Sequence, residues 1–206
     1  IDSCLGAGVQ PWVTLYHWDL PQAREDDGGW TNRDIIEAYA DYAALVGEAL
    51  GDRVDTWMLF NEPLSFTMLG YMLGEHAPGR RGLNNFFPAM HHVNLATAAG
   101  AGALRAAAGD TTVGTTHYLT AAQGTGPGPH LAQRAERAAN AILNRAFLEP
   151  GLGLGYPVDD APILRMMRRY IADGDLEFCE VVLDFIGVQY YCRLRAPFRP
   201  IPGLWT

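Results

Sequence analysis

The stretch "TWMLFNEP" (Thr56 to Pro63) runs five residues suited to a buried strand straight into an amide, a carboxylate and a proline. A surface loop would hold a carboxylate at smaller desolvation cost, so an acid at the end of an apolar strand is a candidate for chemistry. The same punctuation recurs along the chain. "VQPWVTLYHW" (Val9 to Trp18) is β-branched and aromatic and closes on Tyr16-His17-Trp18. Thr111 to Thr116 forms a short β-branched run leading to His117-Tyr118, and "DFIGVQYYCRL" carries Gln189-Tyr190-Tyr191. Between these runs the apolar spacing turns helical. One helix has Thr31 as its expected N-cap, Asp34 three residues on, Ile35, Tyr39, Tyr42, Val46 and Leu50 on one face, and Gly51 as its stop. Others are expected from Met90 to about Ala108, from Leu131 to about Leu148, and, shorter, near Ile163 to Ile171 and Asp175 to Val182. Leu64 to Pro88 and Gln123 to Pro129 read as loops.

Strands separated by helices imply βαβ units and a parallel sheet. A doubly wound nucleotide-binding sheet should carry a glycine-rich phosphate loop after its first strand, and no G-x-G-x-x-G or G-x-x-x-x-G-K-[ST] occurs. Polar and aromatic groups at the ends of successive strands are the habit of the (β/α)8 barrel. Four βα units amount to half of one. The chain has 206 residues with a net charge of −8, which disfavours nucleic acid or an anionic membrane surface and suits a neutral ligand. Arg80-Arg81 and Arg168-Arg169 read as solvated faces. Cys4, Cys179 and Cys192 show no disulfide or zinc spacing and read as reduced thiols of a cytoplasmic protein. No apolar run is long enough to span a membrane. Both ends of the sequence read as cuts through something larger.

At the strand ends, a carboxyl in an apolar mouth is partly desolvated, which favours the protonated form that a general acid needs. Pro63 is expected to hold Glu62 extended and so to aim it. Asn61 offers a donor and an acceptor to a hydroxyl. Trp18 supplies a flat apolar wall with one donor, and His17 and Tyr191 supply further polar groups, which together suit a sugar. Each has a plain structural alternative: a salt-bridged strand tip for Glu62, core packing for His17 and Trp18, and a β-rich strand end for Tyr190-Tyr191. His91-His92 is expected at the start of a helix, as a cap or surface feature without metal. The coincidence of several such ends favours chemistry. An aldolase- or isomerase-type barrel is disfavoured, because no lysine follows a strand.

In order, "VTLYHWDLPQ", "GGWTNRDI", "FNEP", "GYMLGEHAPG", "FLEP" with "GYP", and "DFIGVQYY" resemble the consecutive signatures of family 1 glycoside hydrolases, the β-glucosidase family, over nearly the whole chain. The resemblance implies a (β/α)8 barrel that hydrolyses β-glycosides with retention and needs no metal or organic cofactor. It implies Glu62 as acid/base, Asn61 on the sugar 2-hydroxyl, His17 and Trp18 on the glycone, and Tyr191 as the tyrosine that orients the nucleophile. Gln189 stands where the family usually has Asn, which moves the amide outward by about one bond. Tyr118 stands where Asn is frequent, so it either alters the aglycone side or packs. The T-E-N-G motif of the nucleophile is absent from the sequence. By resemblance the chain holds strands three to six of eight, the central part of one catalytic domain truncated at both ends. Its partners would be a small carbohydrate substrate, and the remaining barrel segments or a homo-oligomer. The alternative is a catalytically inactive sugar-binding or structural fragment of such a barrel.

Overall fold

A computed structural model of the protein describes residues 1–198. The elements in chain order are α1 (Asp2–Gly6), β1 (Trp12–Tyr16), α2 (Gln22–Asp26), α3 (Ile35–Leu50), β2 (Thr56–Asn61), α4 (Pro63–Thr67), α5 (Leu83–Ala108), β3 (Thr112–Tyr118), β4 (Ala121–Thr125), α6 (Pro129–Asn140), α7 (Asp175–Cys179), β5 (Phe185–Gln189) and β6 (Arg193–Pro197). Strands β1, β2, β3 and β5 form one parallel sheet in that spatial order, each beside its predecessor. The order never reverses, so the sheet has no switch point of the doubly wound kind. It is an α/β arc of an incomplete barrel, open along β1 and β5. Its two edges nevertheless approach each other: the rings of Trp12 on β1 and Phe185 on β5 are 5.3 Å apart.

The core lies between the sheet and its helices. Trp57, Leu59 and Phe60 of β2 are fully buried, as are Ala101 and Leu104 of α5. Helix α3 lays Ile35, Tyr39, Ala43 and Gly47 inward at helical spacing and packs along α5. Tyr39 stacks on Phe60 with centroids 4.5 Å apart and donates a hydrogen bond to Leu59 O at 2.6 Å.

Several expected boundaries are corrected. Thr31 does not cap α3; it closes a 3-10 turn and donates to Gly28 O, while the helix starts at Ile35 behind Asp34. The expected loop from Leu64 to Pro88 contains α4, a π-helical continuation Met68–Leu73, and the first turns of α5 with Pro88 inside them. The expected loop at Gln123 contains β4, which pairs in parallel with β6 across 72 residues of chain. The expected single strand through Leu194 is split into β5 and β6.

His91 and His92 are not at a helix start. They lie inside α5 at 0% and 5% exposure. His91 bonds Asp175 Oδ2 at 2.8 Å and Tyr156 OH at 2.9 Å, and His92 bonds Trp30 O at 2.9 Å. Burial raises the Asp175 pKa, but hydrogen bonds from Arg33, His91 and the Ala172 N–H outweigh it and hold the carboxyl well below the usual range. Arg80 is not simply solvated either: it pairs with Glu25 at 2.5 Å, and Glu25 in turn accepts from Tyr71 OH. Cys179 is buried, whereas Cys4 and Cys192 are exposed, and all three are free thiols.

Candidate active site

The carboxyl ends of the four sheet strands bring His17, Asn61, Glu62, Thr116 and Gln189 together. A bulge in β2 makes this possible. Met58 pairs with Gly114 and Asn61 with Thr116, so three steps on β2 match two on β3. Strict alternation from Met58 would send Asn61 to the opposite face. The extra residue instead lets Phe60 join the aromatic rings of Trp30, Tyr39 and Phe66 while Asn61 meets Thr116.

Glu62 is 7% exposed and left-handed, with φ 47° and ψ 70°, not extended as Pro63 led one to expect. Its own amide donates to Thr116 O at 2.9 Å, and its carbonyl accepts from Ser65 N as the N-cap of α4. Pro63 then occupies the first turn of α4, where a missing N–H costs nothing. The side chain is pinned on both oxygens: Ser65 Oγ donates to Oε2 at 2.8 Å, and Tyr191 OH lies 3.2 Å from Oε1. Among the described residues, the non-glycine residues with positive φ are Glu62 and Trp18, the latter at 78°. Such backbone costs about 1–2 kcal/mol at each position, and both instances fall in this one cluster.

Asn61 Oδ1 accepts from Gln189 Nε2 at 2.6 Å and from Thr116 Oγ1 at 3.2 Å, which turns its Nδ2 toward His17 Nε2 at 3.3 Å. Asn61 therefore faces the cleft as a donor, its acceptor being engaged. Trp18 spends its indole N–H on Asn61 O at 2.8 Å, so what it offers a ligand is its ring, beside those of His17 and His76. The longer side chain of Gln189 does not lose contact. It reaches Asn61, Thr116 Oγ1 at 3.2 Å and, through Oε1, Tyr191 OH at 2.6 Å. Gly187 leaves room for this approach, since a Cβ there would lie 2.5 Å from Thr116 Cγ2. Tyr118 packs: its ring stacks on Tyr191 with centroids 5.7 Å apart, and its hydroxyl meets Cys192 Sγ at 3.5 Å. Desolvation, then the Glu62 charge and hydrogen bond, raise the Tyr191 pKa above that of an ordinary phenol, so its hydroxyl stays neutral.

All five sequence-predicted residues, His17, Trp18, Asn61, Glu62 and Tyr191, thus meet in one cluster. Ser65, His76 and Thr116 were missed. Ser65 carried a signal, standing three residues after the acid at the start of a helix. A separate cavity of about 80 Å³ lies on the helix side of β3 behind Pro63. It is lined by Asn94, Thr97, His117 and Cys179 among others, and burial pushes the His117 pKa down to about 4. No group of three or more His, Cys, Asp or Glu among the described residues could hold a metal ion.

The family model of glycosyl hydrolase family 1 matches residues 1–198. The chain is 35% identical over 204 residues to a β-glucosidase of Agrobacterium sp., covering 99% of this chain and 44% of that protein. It is 37% identical to thermostable β-glucosidase B of Thermobispora bispora, covering 98% and 42%. The crystal structure of a psychrophilic β-glucosidase from Micrococcus antarcticus superposes with a TM-score of 0.89 at 41% identity, over 98% of this chain and 43% of that one. The family 1 β-glucosidase of Thermotoga maritima, solved with isofagomine lactam, superposes with a TM-score of 0.86 at 32% identity. The chain spans less than half the length of these relatives. A family match over all the described residues, carried by the same strands that assemble the Glu62 cluster, places the chain in glycosyl hydrolase family 1.

Proposed function

We propose that the whole protein is a retaining β-glycosidase acting on β-linked glucosides or related glycosides, to which this chain contributes the acid/base half of the site. The observation that carries the reading is Glu62, a buried carboxyl pinned by Ser65 and Tyr191 beside the donor of Asn61 and the ring of Trp18. In the first step protonated Glu62 gives its proton to the glycosidic oxygen while a second carboxylate attacks the anomeric carbon. In the second, ionised Glu62 takes a proton from water, which displaces that carboxylate. Retaining pairs stand about 5–5.5 Å apart, and the T-E-N-G motif that would supply the attacking group lies outside these 206 residues. Asn61 donates to a sugar hydroxyl, and Trp18 covers an apolar sugar face. The free thiols suit a cytoplasmic, reducing setting.

The test is Glu62→Gln in the full-length protein. Glycosides with poor leaving groups should lose about 10²–10⁴-fold in kcat/KM, the usual worth of general acid catalysis. Dinitrophenyl glycosides, whose leaving group needs no proton, should keep kcat/KM nearly intact. Azide, an anion that attacks without a general base, should restore their turnover. An equal loss for both leaving groups would overturn the reading.

A further inference from the structure

Two buried polar side chains in the cavity behind Pro63 have hydrogen-bonding capacity left over. His117 and Asn94 are each 5% exposed. Among the described residues, neither ring nitrogen of His117 has a hydrogen-bond partner. Asn94 spends its Nδ2 on Ala146 O at 3.2 Å and Tyr156 OH at 3.1 Å, and no described residue donates to its Oδ1. Thr97 and Thr115, also on the wall, give their hydroxyl protons to Val93 O and Phe60 O and keep only acceptor capacity. Buried polar atoms of native proteins are nearly always paired, and leaving one unpaired is costly.

The lining also selects the guest. At neutral pH it carries no charge: burial pushes the His117 pKa down to about 4 and the Cys179 thiol up to about 12. An ion would enter without a counter-charge. Neutral imidazole offers one N–H and one acceptor. Acceptors therefore outnumber donors on the wall, counting the imidazole lone pair, Asn94 Oδ1 and the two threonine oxygens. A guest that is small, uncharged and rich in donors fits, and water is that guest. Water enters a polar cavity from about 10–15 Å³ upward, so about 80 Å³ admits a small cluster. We propose that this cavity is a hydration site, in which a cluster of water bridges His117 on β3 to Asn94 and Thr97 on α5, directly behind the Glu62–Pro63 turn. These groups lie on the helix side of β3, so the site takes water whatever reaction the cleft performs.

The experiment uses the full-length protein. Its crystal structure should show ordered water within about 2.7–3.2 Å of a His117 ring nitrogen and of Asn94 Oδ1. Oxygen-17 relaxation dispersion, which counts long-lived internal waters, should give a lower count for His117→Leu than for the wild type. Water at those two atoms together with the lower count would support the site. A dry cavity, a protein group bonded to the ring, or an unchanged count in a folded His117→Leu would each overturn it. Should that variant fail to fold, the crystal structure decides alone.

Discussion

His117 shows what burial does to a single side chain. It is 5% exposed on the helix side of β3, and burial depresses its pKa to about 4; His92 in α5 is pushed to about 4 as well. An unfolded histidine binds its proton near pH 6.5. Between pH 6.5 and 4 the unfolded chain therefore holds more protons than the folded one, and stability falls as pH falls through that window. Replacing His117 with Leu should narrow the stability gap between pH 7 and pH 4.5 by about 2–3 kcal/mol, read by urea unfolding at the two pH values. An unchanged gap would show that His117 titrates normally. The candidate side chains were legible at this scale because charged and amide groups at the ends of apolar strands are costly and so conspicuous. Their directions were not. Pro63 rules out a helical Glu62 but does not separate extended from left-handed, and the aim of Asn61 depends on Gln189, which lies 128 residues away.

Elements were legible where periodicity is local and hidden where a distant partner decides. Strand β2 and helix α3 announce themselves in their own residues. The bulge that turns Asn61 into the cleft exists only in the pairing of β2 with β3, so no reading of β2 alone finds it. Strand β4 looks like a loop because Gly124 and Gly126 weaken it, and only β6 makes it a strand. Glycines hid a second feature, the close approach of α3 and α5. A Cβ on Gly100 would stand 2.6 Å from Tyr39 Cε1, the same ring that stacks on Phe60 behind the cleft. Gly100→Ala gains about 1 kcal/mol of helix propensity but must displace that ring, and overpacking costs about 1–3 kcal/mol. A net loss of stability in chemical denaturation is expected. A gain would mean that the two helices separate freely.

At the scale of the whole molecule, the barrel type followed from strand ends and from the missing phosphate loop, and the uninterrupted strand order agrees. The sheet stays open, with Trp12 58% and Val188 62% exposed on its edge strands. On the proposed glycosidase reading, one proton donor without an attacking carboxylate cannot complete a double displacement. The 206-residue chain alone should show no turnover of an aryl β-glucoside, whereas a longer chain that also carries a T-E-N-G segment should. Turnover by the isolated chain at rates typical of enzymes would place the nucleophile within these residues. The contact between Trp12 and Phe185 acts at this scale too. It sits at the amino ends of the two outer strands, whereas His17 and Gln189 sit at their carboxyl ends. The pair therefore bridges the two outer strands of the open arc at its floor, at the end away from Glu62.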